Sequence, residues 1–396
     1  MIKVLFVTYD FPYPLNSGGK NRAFNMIKYA KEKDISIDLL SFIREGFDLK
    51  NIDEVKKIGV DDVYIYQRKK LKSANTIGRN LISSSSIFKT LYFDKGFEKL
   101  LKKIIVEKNI GIVHFESSYT GYYIGDELKK LGAFQILGTE NIESLLYEDF
   151  LKNSKNPVKK VALSYQVKRF KKEEEDMIKK ADLSIAVTQD EANYISKISN
   201  KKCEVVENAV SVNDLKFEFN KNSNNRILFV GNFTYIPNVA ALKYFLKNVM
   251  PLLDKKIKLT VIGRRVKEFV TKDERIEALE YVEDLISEYR KSDLMVFPIK
   301  IGGGTNYKIL EAMALGVPIV AFPDKVDSIG AKENIDYFKV ENEKEFAEKI
   351  KFVIDNKKNV LDIVKSARKL VEERYSWEKV GAKLSAIWKE VFNERS

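Results

Sequence analysis

The 396-residue sequence predicts two α/β domains in tandem, each built on a doubly wound parallel β-sheet. Its length exceeds what one ordinary hydrophobic core supports, which favours two domains. Short apolar runs alternate with helical patterns along the chain. The alternation starts again after residues 220–226, the polar stretch NKNSNNR, which is therefore the best linker candidate.

The strands follow from apolar runs between turn residues, and the helices follow from apolar residues at intervals of three and four. In the first series, strands are expected at residues 3–9, 36–42, 62–66, 112–115, 134–138, 183–188 and 203–207. In the second series, they are expected at residues 226–231, 258–262, 276–279, 294–298, 319–322 and 337–340. Helices are expected between them, for example at residues 20–31, 239–250 and 343–356.

The composition narrows the class of protein. The chain has a net charge of +12 and is 44% apolar and 32% charged, which is typical of a soluble globular protein. It has no apolar run long enough to span a membrane and no signal-peptide pattern, so we expect a cytoplasmic protein. Because Cys203 is the single cysteine and His114 the single histidine, an internal disulfide, a cysteine-built zinc site and a multi-histidine metal centre are excluded.

The stretch FPIKIGGGTNYKILEAMALGVPIVAF, residues 297–322, places three glycines between an apolar run and a helical pattern. In a parallel sheet such a loop lies at the carboxyl end of a strand, where ligands bind. Gly302–Gly304 would let the backbone approach a ligand, and a helix capped by Thr305 would offer free N–H groups to a phosphate. Lys308 and Glu311 would share a helix face, the cation suited to a diphosphate and the carboxylate to ribose hydroxyls. The alternative is a structural turn followed by a surface salt bridge.

This stretch resembles the donor-site motif of retaining glycosyltransferases of family 4, and the resemblance continues in order along nearly the whole chain. The resemblance implies the GT-B fold, an α/β fold in which two Rossmann-like domains face each other across a cleft. It implies an acceptor-binding domain of residues 1–215, a nucleotide-sugar-binding domain of residues 216–375 and a helix of residues 376–396 that crosses back. The other similar segments are FPYPLNSGGKNRAFNMIKYA (11–30), TENIES (139–144), ADLSIAVTQDEANYI (181–195), VVENAV (205–210), FVGNFTYIPN (229–238) and YSWEKVGAKL (375–384).

The family implies transfer of a sugar from a nucleotide-diphosphate sugar to an acceptor, with retention of configuration and without a metal ion or other cofactor. Such transfer requires neutralisation of the charge that develops on the departing diphosphate. By this resemblance Lys308 neutralises the charge and Glu311 holds the ribose. The expected donor-binding residues are Gly231, Asn232, Arg264, Gly302, Gly303, Gly304, Thr305, Asn306, Lys308 and Glu311.

Two positions depart from the family pattern. The donor motif often has two glutamates separated by seven residues, and the first of them falls on Gly303 here. Backbone groups or other residues must then recognise the sugar. A basic residue often follows the glycine that matches Gly231, whereas this chain reads NFT there. Arg264 or Arg265 could supply the cation instead.

In the first domain, the expected strand in GIVHFES places His114 and Glu116 on one side, because alternate residues of a strand face the same way. Relatives often have a sugar-contacting histidine at the position of Glu116. We expect Glu116 to accept a sugar hydroxyl or to stabilise positive charge at the reacting carbon; the alternative is a buried carboxylate paired with a cation. The expected catalytic residues are Lys308, Glu116 and His114, and the expected cleft or acceptor residues are Ser17, Gly18, Gly19, Glu140 and Asn141.

Residues 86–105 are basic and amphipathic, with Lys99, Lys102 and Lys103 opposite the apolar positions. Such a stretch can lie on an anionic membrane, which would place the protein peripherally at the inner face of the cell membrane. The alternative is an ordinary packed helix with a solvated lysine face. No nucleic acid partner is expected, because the positive charge is spread over both domains without a base-stacking module.

The leading prediction is transfer of a hexose-type sugar to a glycan or lipid-linked acceptor in polysaccharide or glycoconjugate assembly. A nucleotide-sugar 2-epimerase shares the fold and would need acid and base groups near C2 of the sugar. A nucleotide-sugar-binding protein without catalysis is the third alternative, motivated by Gly303.

Overall fold

The computed structural model describes residues 1–70, 80, 84–152, 157–270, 272–299 and 307–395. Contacts along the chain divide it into two units. Unit 1 comprises Met1–Glu207 together with Glu378–Ser396, and unit 2 comprises Asn208–Trp377. Each unit has its own parallel sheet.

The strands of unit 1 are β1 (Ile2–Thr8), β2 (Ile35–Ile43), β3 (Val63–Gln67), β4 (Ile112–Glu116), β5 (Phe134–Gly138), β6 (Leu183–Ala186) and β7 (Cys203–Val205). They form a seven-stranded sheet in the order β3-β2-β1-β4-β5-β6-β7, with all pairs parallel. The order reverses between β1 and β4, so the carboxyl ends of these two strands form a topological switch point. β4 is buried at every position, as expected of a strand covered on both faces.

The helices described between these strands are α1 (Gly18–Ala30), α2 (Asn51–Lys56), α3 (Ile87–Tyr92), α4 (Lys95–Lys108), α5 (Asp126–Lys129), α6 (Glu143–Lys152), α7 (Pro157–Lys180) and α8 (Gln189–Ser199). Asparagine ends two of them. Asn109 after α4 and Asn200 after α8 have φ values of 53° and 54°, in the left-handed region that asparagine tolerates. These residues let the chain turn directly into the next strand of the sheet.

The strands of unit 2 are β8 (Arg226–Val230), β9 (Lys258–Ile262), β10 (Ile276–Leu279), β11 (Leu294–Phe297), β12 (Ile319–Ala321) and β13 (Phe338–Lys339). Their order is β10-β9-β8-β11-β12-β13, again parallel throughout. The switch point of this sheet lies between β8 and β11. The remaining helices are α9 (Ile236–Tyr244), α10 (Leu285–Arg290), α11 (Tyr307–Leu315), α12 (Pro323–Asp327), α13 (Glu343–Asp355), α14 (Lys357–Arg374) and α15 (Trp377–Asn393).

Helix α15 leaves unit 2 at its first residue and packs against unit 1. Trp388 of this helix is fully buried and lies edge-on to His114 of β4, with ring centroids 5.8 Å apart. Lys389 forms an ion pair with Glu32 at 2.6 Å. The last helix therefore completes the fold of the first unit.

The predicted fold class is confirmed, because both units are doubly wound parallel α/β sheets in the Rossmann strand order. The predicted strands are present, but the expected strand of residues 203–207 ends at Val205. The expected helical stretch of residues 239–250 is present, but its bounds and helix type differ along its length. It begins at Ile236 as α9, then continues as a π-helical turn, Phe245–Val249, and a 3₁₀ turn that contains Pro251. Proline lacks the N–H that a continuing α-helix requires.

The basic stretch of residues 86–105 forms two helices instead of one. They are separated by Phe93 and Asp94, and Asp94 caps α4 by accepting a hydrogen bond from the Gly96 N–H. Tyr66 donates to the same carboxylate at 2.6 Å, and Lys69 lies 3.0 Å from it. The apolar spacing continues through the break, which is why the sequence pattern did not reveal it.

Candidate functional site

Lys308 lies at the switch point of the unit 2 sheet, in the first turn of α11. Its Nζ donates to the carbonyl of Val230, the last residue of β8, and to Asn238 Oδ1, each at 3.1 Å. The ammonium also lies 5.1 Å from the ring centroid of Phe297, the last residue of β11. One cation is therefore held at the carboxyl ends of the two strands between which the order reverses.

The electrostatics of this cation favour an anionic ligand. Burial lowers the pKa of Lys308 to about 8, and the Glu311 carboxylate partly offsets that effect. Both hydrogen-bond acceptors are neutral, so the charge is not cancelled by either of them. A desolvated ammonium attracts a phosphate more strongly than one in bulk water does.

Glu311 follows one helical turn later and has a partner that the sequence did not indicate. The buried Tyr289 hydroxyl donates to Glu311 Oε2 at 3.3 Å and lies 3.4 Å from the Lys308 carbonyl oxygen. Burial raises the pKa of Glu311, while the Tyr289 hydrogen bond and Lys308 act in the opposite direction. Nothing in the spacing of Tyr289 in α10 separates it from an ordinary core tyrosine.

The loop after β8 contains the predicted donor residues Gly231 and Asn232. Asn238 donates to the Asn232 carbonyl at 2.8 Å, so a single side chain connects this loop to Lys308. The Asn232 side chain itself accepts hydrogen bonds from the N–H and hydroxyl of Thr234, at 3.0 and 2.8 Å. Gly231 is buried and donates to the Ile262 carbonyl at 2.9 Å.

The two arginines proposed as substitute cations have different environments. Arg265 pairs with Glu268, at 2.5 Å between Nη2 and Oε2, and both side chains are about half exposed. Arg264 is exposed, and its carbonyl accepts from the Phe233 N–H at 3.1 Å. The cation role therefore stays a prediction for Arg264, whereas Arg265 is occupied by its own acid. The predicted residues Gly302, Gly303, Gly304, Thr305 and Asn306 lie outside the described residues.

In unit 1, His114 and Glu116 do point the same way and form a buried network. Glu116 accepts from Arg22 Nε at 2.7 Å and lies 3.0 Å from His114 Nε2, while all three residues are at most 1% exposed. Trp388 Nε1 donates to His114 Nδ1 at 3.3 Å. Since an indole N–H can only donate, Nδ1 is the acceptor nitrogen and Nε2 of the neutral ring carries the proton that it donates to Glu116.

This arrangement matches the alternative that the sequence left open for Glu116, a buried carboxylate paired with a cation. Burial alone would raise the pKa of Glu116, but Arg22 and the His114 hydrogen bond hold it below its usual range. Contact of Glu116 or His114 with a substrate stays a prediction. The sequence did contain a sign that Arg22 has a buried partner. Arg22 is a charged residue on the face of α1 that buries Ala23, Met26 and Ile27.

Glu140 follows β5 and lies beside the beginning of α1. Its Oε1 atom is buried and has no hydrogen-bond partner among the described residues, although the residue as a whole is partly exposed. Burial raises the pKa of Glu140 to about 8, helped by the negative charges of Glu116 and Glu143 and opposed by Arg22 and a hydrogen bond from Tyr9. A pKa of about 8 lets the Glu140 carboxyl group carry a proton at neutral pH, and in that form it can both donate and accept.

Gly19 and Asn141 lie next to this carboxyl group. A side chain at Gly19 would place its Cβ 2.5 Å from both Glu140 oxygens and 2.6 Å from the Tyr9 hydroxyl, so any other residue there would displace the ends of these two side chains. Asn141 hydrogen-bonds Glu143, whose pKa burial raises to about 7. Ser17 and Gly18 are exposed at the beginning of α1.

An open pocket of about 530 Å³ adjoins this region within unit 1. Its lining comes from the segment between Tyr9 and Lys20 and from residues 44–51. The lining carries charges of both signs. The Asp10 carboxylate lies 3.0 Å from Arg44 and 3.9 Å from Lys20. The pocket thus combines aromatic rings with a mixed set of charges.

The described residues contain neither a metal-binding cluster nor a membrane-spanning helix. No group of three or more His, Cys, Asp or Glu side chains there is arranged to hold a metal ion, and metal independence stays a prediction. No helix in the same part of the chain is long and apolar enough to cross a bilayer.

The chain resembles known proteins in both sequence and fold. Residues 224–356 match the family model described as glycosyl transferases group 1. An uncharacterized 44.6 kDa protein in the cps region of Klebsiella pneumoniae is 24% identical over 407 residues, covering 98% of this chain and 100% of that protein.

Two solved structures illustrate the similarity in fold. Sucrose-phosphate synthase from Thermosynechococcus elongatus superposes with a TM-score of 0.73 at 12% identity, covering 100% of both chains. HepE from Anabaena, solved in complex with UDP-glucose, superposes with a TM-score of 0.65 at 11% identity, covering 98% of this chain and 100% of that one. These likenesses show the GT-B fold, as the sequence predicted. The family match supports a glycosyltransferase.

Proposed function

We propose that this protein is a retaining glycosyltransferase that moves a hexose-type sugar from a nucleotide-diphosphate sugar to a glycan or lipid-linked acceptor, without a metal ion. The observation that carries the proposal is the desolvated Lys308 ammonium at the switch point of unit 2, with Glu311 one turn away. The match of residues 224–356 to glycosyl transferases group 1 and the UDP-glucose complex of HepE support a nucleotide-sugar donor.

In the proposed reaction, the bond between sugar C1 and the diphosphate oxygen breaks, and its electron pair leaves with the diphosphate. The acceptor oxygen forms a new bond to C1 on the same face, and its proton passes to the leaving phosphate oxygen. Lys308 stabilises the charge that grows on the diphosphate. Asn238 positions Lys308, because it is one of the two acceptors that hold the ammonium in place.

Glu311 is the proposed ribose contact, held in position by Tyr289. Two hydroxyls on adjacent carbons can both donate to one carboxylate, which selects a nucleotide with an intact ribose. In unit 1, the pocket beside Gly19 and the Glu140 carboxyl group are proposed to bind the acceptor. A protonated Glu140 suits a neutral sugar, because it offers a donor and an acceptor together.

The direct test is turnover of a panel of nucleotide-diphosphate sugars, with and without a mixture of glycan and lipid-linked acceptors. We expect release of nucleoside diphosphate that depends on the acceptor and is unchanged by EDTA. Conversion of the sugar to its C2 epimer without any acceptor would replace the proposal with an epimerase. Donor binding without turnover in the presence of every acceptor would replace it with a binding protein.

Glu311→Gln is expected to raise the KM for the donor by about tenfold, equal to about 1.4 kcal/mol of lost binding, with a smaller change in kcat. The reason is that an amide accepts two ribose hydroxyls less well than a carboxylate does. Steady-state kinetics at varied donor concentration, together with a melting curve, would measure the effect.

Tyr289→Phe is the matched variant, since it removes the hydroxyl that positions Glu311 but leaves the carboxylate. A smaller increase in KM is expected for it. A Glu311→Gln protein that melts much earlier yet retains the donor KM would assign Glu311 to the fold instead of the ribose.

A further inference from the structure

The surface that stands out from the rest of unit 1 lies on α7, near its beginning. Residues 157–172 contain six Lys or Arg residues and no Asp or Glu. Lys160, Lys168 and Lys172 are exposed, and none of them forms an ion pair with a described residue. With Ser164 they repeat every four residues and so follow one another along one side of the helix.

Apolar side chains flank these lysines. Val167 and Phe170 on the packed face of α7 are 5% and 0% exposed, whereas Leu163, one turn earlier on that face, is 40% exposed. The packed face of α7 therefore becomes more exposed to solvent toward the beginning of the helix. Phe150, near the end of the preceding helix α6, is 42% exposed at the same end of the helix pair.

Tyr165 adds an exposed ring on the other flank of the lysines. It is 58% exposed, and the Arg169 guanidinium stacks over its ring at 3.9 Å from the centroid. Arg169 also donates to the Ser85 carbonyl at 3.1 Å, which fixes the pair on the body of unit 1. The ring is thus held outward instead of folding back onto the core.

Residues 86–105, for which the sequence predicts membrane contact, differ from the beginning of α7 in the pairing of their lysines and the exposure of their apolar side chains. Lys102 pairs with Glu98 at 2.9 Å and with Glu127 at 3.6 Å, and Lys103 lies 3.7 Å from Glu107. Two of the lysines in this stretch, Lys102 and Lys103, therefore have acidic partners. Its apolar positions Phe97, Leu101 and Ile104 are at most 2% exposed, so these three side chains are packed into unit 1.

We propose that the surface formed by Phe150, Lys160, Leu163, Tyr165, Lys168 and Lys172, here called the α7 surface, docks on an anionic lipid bilayer. The exposed lysines would lie at the level of the lipid phosphates, and the exposed Leu163, Tyr165 and Phe150 side chains would enter the boundary of the acyl chains. Lysines attract an anionic leaflet within about a Debye length, and an aromatic ring with a polar tip suits this depth.

The experiment measures binding of the full chain to phosphatidylglycerol–phosphatidylcholine vesicles and to pure phosphatidylcholine vesicles, at low salt and at about 0.15 M salt. Lys160→Gln, Lys168→Gln and Lys172→Gln combined are expected to lower the partition coefficient on anionic vesicles about 100-fold, or about fivefold per lysine. The control is Lys99→Gln, Lys102→Gln and Lys103→Gln combined, which removes the same charge from α4 and is expected to leave binding nearly unchanged.

A second variant separates insertion from simple charge attraction. Leu163→Ser with Tyr165→Ser is expected to lower binding about tenfold while keeping the salt dependence, since the lysines remain. Equal losses for the two lysine triples would overturn the proposal, and so would equal binding to phosphatidylcholine vesicles. Binding to a short duplex DNA as tight as binding to the anionic vesicles would make nucleic acid the partner instead. A circular dichroism spectrum and a melting curve provide the check that each variant is folded.

Discussion

Replacement of Lys308 by methionine is expected to lower kcat/KM by about 10²–10³-fold, or about 2.7–4 kcal/mol of transition-state stabilisation. Methionine retains an apolar stem over the Phe297 ring but removes the ammonium that the Val230 carbonyl and Asn238 hold at this edge of the sheet. The loss should fall mainly on kcat, because charge on the diphosphate grows as the bond to sugar C1 breaks.

The pH profile of kcat/KM provides a second readout of the same residue. The pKa of Lys308 is lowered to about 8, so the ammonium is present below that pH and lost above it. We therefore expect kcat/KM of the wild type to fall as pH rises through about 8, and this decline to be absent in Lys308→Met.

Lys267→Ala is the matched control, because Lys267 is an exposed lysine of the same unit. It is expected to leave both kcat/KM and the pH profile unchanged. A folded Lys308→Met protein with kcat/KM close to that of the wild type would rule out Lys308 as the cation for the diphosphate.

Arg22→Met is expected to reduce the free energy of unfolding by about 3–5 kcal/mol, because it leaves the Glu116 carboxylate buried without its cation. Part of the loss will be recovered when Glu116 takes up a proton. In the wild type, Glu116 has a lowered pKa, so its stabilising effect is present at neutral pH and lost as the pH falls through that lowered pKa. In the variant, burial dominates and raises the pKa of Glu116, so stability should instead fall as pH rises.

The partner experiment is a double-mutant cycle with Glu116→Leu. Each single substitution leaves one buried charge, whereas the double variant leaves neither, so the double variant should be more stable than either single one. Urea unfolding followed by circular dichroism measures all three. Additive losses would mean that Arg22 and Glu116 stabilise unit 1 independently and not as a pair.

The sheets could be predicted from sequence because their strands are nearly continuous apolar runs, such as LFV in β1 and LMVF in β11. The ends of strands were less accurate, as at β7, because Val206 beyond its last residue is still apolar and fully buried. The positions of Lys308 and Glu311 followed from a strand, a loop and a helix in one short stretch of chain.

Their partners could not be predicted in this way. Tyr289 is 22 residues from Glu311, Asn238 is 70 from Lys308, and Trp388 is 274 from His114. Local spacing describes a helix face or a strand face, but it contains no information on which distant segment covers that face. The tautomer of His114 is an example, because it is set by an indole N–H from the last helix.

The position of α15 in the chain affects the order in which the protein can assemble during synthesis. Unit 1 is interrupted by the whole of Asn208–Trp377, so its last helix leaves the ribosome after every residue of unit 2. At roughly 5–20 residues per second, that interval lasts about 10–30 s. Throughout it, the face of β4 around His114 lacks the Trp388 ring that covers it in the finished fold. Unit 2 is contiguous and can fold as soon as it emerges, so the unit that is synthesised first is the last to be completed.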